Sequence, residues 1–360
     1  EQRPLGGITE IAPFTGIDDR GLGDLSGPLG WQLAYPFLQK QLYDFYGDKR
    51  IIENQYPAFK KQLNFLITTA PMNLYSWDIS DHEALDPKPE GLSAAAFYYH
   101  HILLGAEFAG ILGNSRDSIE YATLAKSIKE NIIAKYHVPA TGRFDNATQS
   151  AQLFALYYDL APDRDKSFDV LSKEFERHKW HISTGIFSTK MMFDVLRENN
   201  MNDAAYRIAN QKDFPGWGYM LENGATTLWE TWAFPESDPS RNHPMFGSVD
   251  EWFFRSLGGI NPLAPGFKRI QIKPQPAGDL SWVKTSYNSV HGKIVSDWKK
   301  QANGFQMHIV IPANTRADVY CPSAAGKPVM ENGKEIKAVR YESGYAVMEL
   351  GSGEYNLSSF

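Results

Sequence analysis

The segment Gly258-Gly259-Ile260-Asn261-Pro262-Leu263-Ala264-Pro265-Gly266 separates two hydrophobic patterns in this chain of 360 residues. Its glycines and prolines interrupt regular secondary structure. Before the segment, apolar residues recur at helical spacing, which predicts helices. After it, apolar and polar residues alternate in short runs between turns, which predicts strands. We therefore expect a helical domain over residues 1–262 and a β-domain over residues 263–360.

The helical part is predicted to be a series of hairpins. The predicted helices are Trp31–Tyr46, a helix that follows Asp48 and extends to Leu66, Leu92–Leu112, Asp117–Tyr136, Ala147–Leu160, Asp165–Trp180, Thr184–Glu198, Asp203–Gln211, Thr226–Trp232 and Val249–Leu257. Asp48 is expected to cap the second helix, and Pro57 to kink or restart it. Mostly apolar helices alternate with amphipathic ones, as the inner and outer helices of a helical toroid do.

The C-terminal part is predicted to be a β-sandwich that supports the helical domain. The predicted strands are Lys268–Lys273, Trp282–Asn288, Gly292–Lys299, Gly304–Ile311, Arg316–Tyr320, Lys327–Met330, Tyr345–Leu350 and Gly353–Leu357. The dipeptides Asn303-Gly304 and Asn332-Gly333 favour tight hairpin turns, because both residues tolerate a positive φ. Short strands at this spacing are typical of two packed sheets.

Composition excludes several classes of partner. The formal net charge is −6 and no basic run is present, which argues against nucleic acid because binding to phosphates needs clustered Lys and Arg. No apolar run approaches the ~20 residues that span a bilayer. Cys321 is the only cysteine, so an intrachain disulfide is excluded. The chain begins at Glu1 rather than Met, so we expect either a processed protein or a fragment. The single cysteine leaves the compartment open, and a periplasmic or extracellular location is favoured over a cytoplasmic one.

The stretch from Gly216 to Trp232 combines the residue types that handle sugars. It contains three tryptophans, a tyrosine and two glutamates. Tryptophan rings offer flat apolar faces that can stack on the C–H face of a sugar. Glu230 lies between Trp229 and Thr231, where partial desolvation would raise the pKa of its carboxyl group and favour proton transfer near neutral pH. The same pattern also fits a core helix with inward tryptophans and an exposed glutamate.

Several segments, in this order along the chain, resemble the bacterial α-L-rhamnosidases. They are Tyr46-Gly47-Asp48, Gly185-Ile186-Phe187-Ser188-Thr189, Asp213-Phe214-Pro215-Gly216-Trp217-Gly218-Tyr219-Met220, Gly224-Ala225-Thr226-Thr227-Leu228-Trp229-Glu230, Asn242-His243-Pro244-Met245-Phe246-Gly247-Ser248-Val249, Glu251-Trp252-Phe253 and Gly258-Gly259-Ile260. The resemblance covers most of the chain. It implies an N-terminally incomplete six-hairpin (α/α)6 barrel followed by an antiparallel β-sandwich. It also implies hydrolysis of terminal α-L-rhamnosides with inversion, so the expected partner is a rhamnose-containing carbohydrate.

The resemblance assigns roles to single residues. The family's general base is the glutamate of its Ala-Thr-Thr-x-Trp-Glu segment, which corresponds to Glu230. A histidine that contacts the sugar corresponds to His243, and a tryptophan in a Gly-Trp pair corresponds to Trp31. Asp81 and His82 match a Gly-Asp-His segment and are expected to bind substrate.

Further stacking faces are expected from three more tryptophans, Trp77, Trp217 and Trp229. Structural roles fit the same residue types: Trp217 and Trp229 also suit a core, His243 also suits a loop anchor, and Asp81 also suits a helix or turn cap.

Two departures from the family pattern concern the acid partner and the pocket. The family's general acid lies in an Arg-Glu-x-Leu-Gly-Trp type of segment, and nothing before Trp31 matches it. Asp18-Asp19-Arg20-Gly21-Leu22-Gly23 resembles that segment only superficially. The acid is therefore expected on a missing N-terminal part of the parent chain. Gln32-Leu33 stands where the family has Gly-Asp, which removes a carboxylate.

Two other functions remain open from the sequence. The chain fits a non-catalytic sugar-binding or regulatory relative that lacks the general acid. It also fits an α/α-barrel polysaccharide lyase or uronyl hydrolase, although the candidate residues include few of the cations that such an enzyme needs. We expect no cofactor and find no indicated metal site: His100 and His101 are adjacent on a helix and diverge by about a third of a turn, so they do not suit one ion. Calcium bound by backbone and carboxylate oxygens stays open from the sequence.

Overall fold

The computed structural model describes residues 1–16, 21–233, 240–324 and 326–360. These residues form two compact units. The first unit comprises Glu1–Gln41, Lys49–Val195 and Asn210–Phe246, and the second comprises Leu42–Asp48, Leu196–Ala209 and Gly247–Phe360. The domain boundary expected between residues 262 and 263 remains a prediction, since the units group residues by contact and place two short helical segments with the strands.

Most of the helices occupy predicted segments. They are α1 (Leu29–Gln32), α2 (Ala34–Tyr46), α3 (Arg50–Thr69), α4 (Glu90–Ile111), α5 (Ser115–Tyr136), α6 (Gln149–Tyr157), α7 (Arg164–Arg177), α8 (Ile186–Glu198), α9 (Asn202–Ala209), α10 (Trp217–Glu222) and α11 (Ser248–Trp252), the last of which continues as a π-helical turn over Phe253–Leu257. Between α5 and α6, the short strands β1 (His137–Val138) and β2 (Arg143–Phe144) form a ribbon.

The hairpin of α4 and α5 shows why the helices alternate in character. Helix α4 is buried along most of its length, whereas α5 buries one face. The turn uses Gly113 at φ +75°, a conformation that glycine adopts without steric cost. The Asn114 side chain then accepts a hydrogen bond of 3.2 Å from the backbone N–H of Asp117 and so caps α5. The predicted pairing of an inner and an outer helix is confirmed here.

The second unit contains a sandwich of two sheets. Its strands are β3 (Ile260–Pro262), β4 (Arg269–Ile272), β5 (Trp282–Val283), β6 (Ser286–Ser289), β7 (Gly292–Gln301), β8 (Gly304–Ile311), β9 (Arg316–Pro322), β10 (Val329–Glu331), β11 (Lys334–Ile336), β12 (Arg340–Glu342), β13 (Tyr345–Leu350) and β14 (Gly353–Ser359). One sheet has the order β11-β10-β14-β8-β7-β5, with β6 also paired to β7, and the other has the order β12-β13-β9-β4-β3. The pair β4–β9 is parallel and the other pairs are antiparallel.

Alternating side chains of both sheets form one apolar core. Ile270 and Ile272 of β4 and Val319 of β9 meet Ile309 of β8 and Trp298 of β7, all essentially buried. This alternation is the period of two that the sequence shows, because successive side chains of a strand point to opposite faces. The predicted turn at Asn332-Gly333 is present, with φ of +49° and +83°.

Three local predictions were wrong. Residues 226–232 are not helical, because the backbone groups of Leu228 and Glu230 bond to His243 and Ser240 rather than within a helix. Helix α3 does not restart at Pro57 but continues through it, since one proline removes only one hydrogen bond of the helix; the alternative, a kink at Pro57, stays a prediction. Its N-cap is Lys49, without a side-chain cap, rather than Asp48.

The stability of the second unit depends on residues 266–360, because its helical segments have their partners there. Asn202 of α9 donates a hydrogen bond of 2.5 Å to the carbonyl oxygen of Gln275, and Asp203 accepts one of 2.8 Å from the N–H of Gly278. The ring centroids of Phe45 and Phe267 lie 5.6 Å apart. Removal of residues 266–360 should therefore leave α9 and the end of α2 without partners and give insoluble protein. A truncated protein that is soluble and unfolds cooperatively on heating would contradict this prediction.

His101 makes stability depend on pH. Its imidazole is fully buried in α4, with Nδ1 at 2.8 Å from the carbonyl oxygen of Phe97 and Nε2 at 3.5 Å from the Gln62 amide nitrogen. Burial lowers the pKa of His101 from 6.5 to about 4. The unfolded chain therefore binds the proton more tightly, so stability is full above pH 6.5 and is lost as the pH falls below that value.

We expect His101 to contribute a loss of about 2 kcal/mol in the free energy of unfolding between pH 7 and pH 5. The variant His101→Gln should lose less stability than the parent over this interval, as measured by urea unfolding at both pH values. His291→Gln, at a half-buried histidine on a turn of the β-domain, is the control and should behave like the parent. An equal loss in the parent and in His101→Gln would refute the assignment.

Candidate active site

Glu230 lies on an irregular segment of the first unit that hydrogen-bonds to residues 240–243. Its backbone N–H donates to the carbonyl oxygen of Ser240 at 3.2 Å, and the N–H of His243 donates to that of Leu228 at 2.9 Å. The Thr227 hydroxyl also donates to the Arg241 carbonyl oxygen. This pairing places the predicted base and the predicted sugar-binding histidine on two paired segments, with both side chains half-buried.

His243 carries a buried imidazole nitrogen, Nδ1, without a hydrogen-bond partner among the residues that the structure describes. A buried polar atom without a partner costs about 1–3 kcal/mol, so a hydroxyl group of a bound molecule would be favoured there.

The tryptophans next to Glu230 are core residues. Trp217, Trp229 and Trp232 are 8%, 4% and 0% exposed. The Trp217 indole N–H donates to the Phe246 carbonyl oxygen at 3.0 Å, and Trp232 stacks on the Phe246 ring with centroids 3.8 Å apart. The ring faces that sugar stacking requires are therefore covered at Trp217 and Trp229, and burial favours the structural reading of both.

Trp31 and His82 form an open aromatic pair. Their ring centroids are 5.7 Å apart at 74°, and the Trp31 ring also lies 5.5 Å from that of Phe187. Phe187 in turn packs on Phe97 of α4 at 4.8 Å. Both Trp31 and His82 are half-buried. Partly exposed rings backed by buried ones are the arrangement that stacking on a sugar needs, and Trp77 presents a further ring that is 43% exposed.

Asp81 points away from solvent, unlike its neighbour His82. It is 0% exposed. Its Oδ2 accepts hydrogen bonds from the Ser150 hydroxyl at 2.6 Å, from the Gly185 N–H at 2.7 Å and from the Ser188 hydroxyl. Its Oδ1 accepts from the N–H groups of Phe187 and Ser188 at 3.1 and 3.0 Å. The protein itself therefore occupies both carboxylate oxygens.

One hydrogen bond links the segment that carries Glu230 to the aromatic pair. The Trp232 indole N–H donates to the Thr184 carbonyl oxygen at 2.7 Å. Thr184 directly precedes Gly185, and the N–H of Ile186 donates to the His82 carbonyl oxygen at 2.9 Å. The segment 184–188 thus contacts both the chain that carries Glu230 and the loop that carries His82. The sequence did not single out Trp232 or Thr184, although Gly185–Thr189 was among the family segments.

Two other features of the described residues lie outside this arrangement. Donor atoms of Asp86, Glu174 and His178 lie within 4.8 Å of one another, but the Arg177 guanidinium is 2.7 Å from Glu174 and 3.4 Å from Asp86, so a cation already balances these carboxylates. A depression of about 610 Å³ lies on the sheet face of the second unit, beside Trp282. None of the predicted site residues lines it.

Two remaining observations from the sequence concern the segment from Asp18 to Gly23 and membrane crossing. Asp18, Asp19 and Arg20 lie outside the described residues. No helix in the described part of the chain has both the length and the apolar character needed to cross a membrane.

Comparison with known families identifies the chain. Residues 1–257 match the bacterial alpha-L-rhamnosidase 6 hairpin glycosidase domain, and residues 259–335 match the bacterial alpha-L-rhamnosidase C-terminal domain. The helical part is therefore of the six-hairpin glycosidase class. Since the two matches cover most of the sequence, the chain belongs to the bacterial α-L-rhamnosidase family. The predicted fold, a helical barrel followed by a β-domain, is confirmed.

Relatives of known identity agree. An alpha-L-rhamnosidase of Streptomyces avermitilis is 32% identical over 98% of this chain and 34% of its own length. A solved structure of the Streptomyces avermitilis alpha-L-rhamnosidase complexed with L-rhamnose has a TM-score of 0.91 at 30% identity, over 99% of this chain and 35% of that one. The alpha-L-rhamnosidase from Dictyoglumus thermophilum gives 0.90 at 33%, over 99% and 42%. The chain thus spans about two fifths or less of the relatives that it matches.

Burial predicts different effects for substitutions of Trp217 and Trp31. Trp217→Phe leaves the buried Phe246 carbonyl oxygen without its donor, so the free energy of unfolding should fall by about 2 kcal/mol. When the variant is measured within an active enzyme, its KM for an aryl α-L-rhamnoside should stay within about twofold of the parent value. The reason is that the substitution removes no contact with the bound substrate. Trp31→Phe should raise KM with a smaller loss of stability. Denaturant unfolding and initial-rate kinetics measure both quantities, and a large KM change in Trp217→Phe with unchanged stability would restore its sugar-binding role.

Proposed function

We propose that the enzyme containing this chain removes terminal α-L-rhamnose from glycosides or polysaccharides by an inverting mechanism, with Glu230 as general base. Family membership supports the reaction class, and a relative of 30% identity has been solved with L-rhamnose bound. The chain's own residues support the part of the site that holds the sugar and activates water.

The observation that carries the proposal is the hydrogen bond from Trp232 to Thr184. Trp232 is two residues from Glu230, and Thr184 begins the segment that backs Trp31 and His82. The carboxylate and the aromatic pair are thus held by one hydrogen-bonded framework within the first unit. A glycosidase needs this combination, because the sugar has to be fixed while water attacks its anomeric carbon.

The chemistry proceeds in one displacement. Glu230 takes a proton from water as the water oxygen bonds to the anomeric carbon, on the face opposite to the leaving oxygen. The bond between the anomeric carbon and the leaving oxygen breaks, and a general acid, which we do not assign to a residue of this chain, protonates that oxygen. In inverting enzymes the two carboxyl groups are ~6.5–9.5 Å apart, which leaves space for the water.

The sugar contacts are divided between exposed and buried residues. Trp31 and His82 provide the stacking and edge contacts, His243 Nδ1 pairs with a sugar hydroxyl, and Trp77 offers an outer face. The buried Asp81, Trp217 and Trp229 support these groups from behind rather than by contact with the sugar.

Replacement of Glu230 tests the base assignment. Glu230→Gln should lower kcat on an aryl α-L-rhamnoside by roughly 10²–10⁴, since it removes general-base catalysis, and should change KM little. The matched control is Glu222→Gln, at the exposed end of α10, which should keep full activity. Undiminished turnover by Glu230→Gln would refute the assignment.

The stereochemical course is tested separately. Proton NMR at early times should show the β-anomer of L-rhamnose as the first product from an α-rhamnoside. Release of the α-anomer first would indicate a retaining enzyme and would exclude the base role, because a retaining mechanism uses the second carboxylate as a nucleophile.

A further inference from the structure

The geometry points to Asp81 as a positioning residue: its buried carboxylate fixes the Trp31–His82 pair by holding the first turn of α8, and it does not touch the sugar. The inference deepens the proposed function and rests on rhamnose binding at that pair. It differs from the expectation that Asp81 contacts substrate.

The first step is the placement of the carboxylate. Asp81 is 0% exposed and accepts hydrogen bonds from Ser150, Gly185, Phe187 and Ser188. A carboxylate with both oxygens occupied by the protein has little remaining capacity for sugar hydroxyls, and a buried one that lost these partners would be strongly unfavourable. The contacts come from residues that are 69 to 107 positions away in the sequence.

The second step is the position of these donors at the start of a helix. Gly185 precedes α8, and Phe187 and Ser188 lie in its first turn, whose N–H groups have no partners within the helix. Asp81 supplies the acceptors from a distant loop, and its negative charge suits the positive end of the helix. Helix α8 is 13 residues long, so it presents a regular N-terminus.

The third step connects the same turn to the aromatic pair. Phe187, held through its N–H by Asp81, packs against the Trp31 ring at 5.5 Å. The N–H of Ile186 donates to the His82 carbonyl oxygen at 2.9 Å. Movement of this turn would therefore shift the support of both rings.

Gly185 packs so closely on the neighbouring loop that no side chain fits there. A Cβ atom at Gly185 would lie 2.0 Å from the His82 carbonyl oxygen and 2.6 Å from that of Asp81. The neighbouring loop also holds Trp31 at its other end, because Asp78 accepts a hydrogen bond of 3.2 Å from the N–H of Gly30. The loop from Asp78 to His82 and the start of α8 are thus held together on either side of Trp31.

The substitution Asp81→Asn conflicts with this arrangement in either orientation of the amide. With the amide nitrogen in place of Oδ1, it faces the N–H groups of Phe187 and Ser188. With the nitrogen in place of Oδ2, it faces the N–H of Gly185. Either way a donor meets a donor, and the first turn of α8 has to shift.

The test is calorimetric titration of the 360-residue chain with L-rhamnose, which gives the Kd and the fraction of binding-competent protein. We expect Asp81→Asn to raise the Kd by about tenfold or more at unchanged stoichiometry. A reduced competent fraction with an unchanged Kd would show a purely structural role and would overturn the inference.

A double-variant cycle separates positioning from direct contact. If Asp81 acts through the Trp31–His82 pair, Asp81→Asn should add less than about twofold to the Kd of a variant in which both rings are removed, Trp31→Ala with His82→Ala. If Asp81 touches the sugar, the two effects should multiply, and that result would overturn the inference.

Two further variants complete the design. Asp117→Asn is the matched control, because Asp117 is a buried carboxylate that accepts from Tyr56 at 2.8 Å and pairs with Lys60 at 2.7 Å; it should lower the melting temperature and leave the Kd unchanged. If Asp81→Asn does not fold, Ser188→Ala removes one hydroxyl donor and keeps the backbone N–H. It should raise the Kd in the parent but not in the variant that lacks both Trp31 and His82 rings, and an unchanged Kd in the parent would overturn the inference.

The failure of this inference is distinguishable from that of the proposed function. Titration measures binding and not turnover, so an active Glu230→Gln enzyme would refute the base assignment and leave the role of Asp81 intact. Absence of L-rhamnose binding by the unsubstituted chain would refute the sugar site itself, and with it this inference.

Discussion

The buried carboxylate of Asp81 is the constraint on which the candidate site depends. A charged group removed from water is stable only where the protein supplies its hydrogen bonds. Here the donors come from α6 and from the start of α8, so the carboxylate ties three distant parts of the chain together. The start of α8, which Asp81 holds, supports the rings of Trp31 and His82. The segment that carries Glu230 is hydrogen-bonded to the same region through Trp232 and Thr184. The site is therefore built from the interior outward.

Much of the fold could be predicted because its signals are local. Helices α4 and α5 follow from an apolar run, an amphipathic run and a glycine between them, and the turn at Asn332-Gly333 follows from its residue types. Residues 226–232 were mistaken for a helix because their backbone hydrogen bonds go to residues 240–243, and no local pattern shows such a partner. Helix α10 was missed because Gly216 and Gly218 argue against a helix.

The sequence predicts which residue types form the candidate site, but not whether each side chain points into the core or toward solvent. Trp31 and Trp217 are the same residue in similar aromatic stretches, and only the partners distinguish them. Trp217 donates its indole N–H to a buried carbonyl oxygen and is covered, whereas Trp31 remains half-buried beside His82. Asp81 illustrates the same limit, because a sequence match to a sugar-binding segment cannot show that the carboxylate turns inward. The resemblance located the segment, and packing decided the direction of each side chain.

The backbone before Asp81 explains how adjacent residues take opposite directions. Ser80 has φ +58°, in the left-handed region that costs a residue with a Cβ roughly 1–2 kcal/mol. Glycine would adopt this conformation freely. The fully buried Ser80 hydroxyl accepts a hydrogen bond of 2.9 Å from Ser93 of α4. This hydrogen bond holds Ser80 in the left-handed conformation. The turn directs Asp81 into the interior and leaves His82 partly exposed. The strained Ser80 therefore allows one short loop to provide both a buried supporting carboxylate and a ring that a ligand can reach.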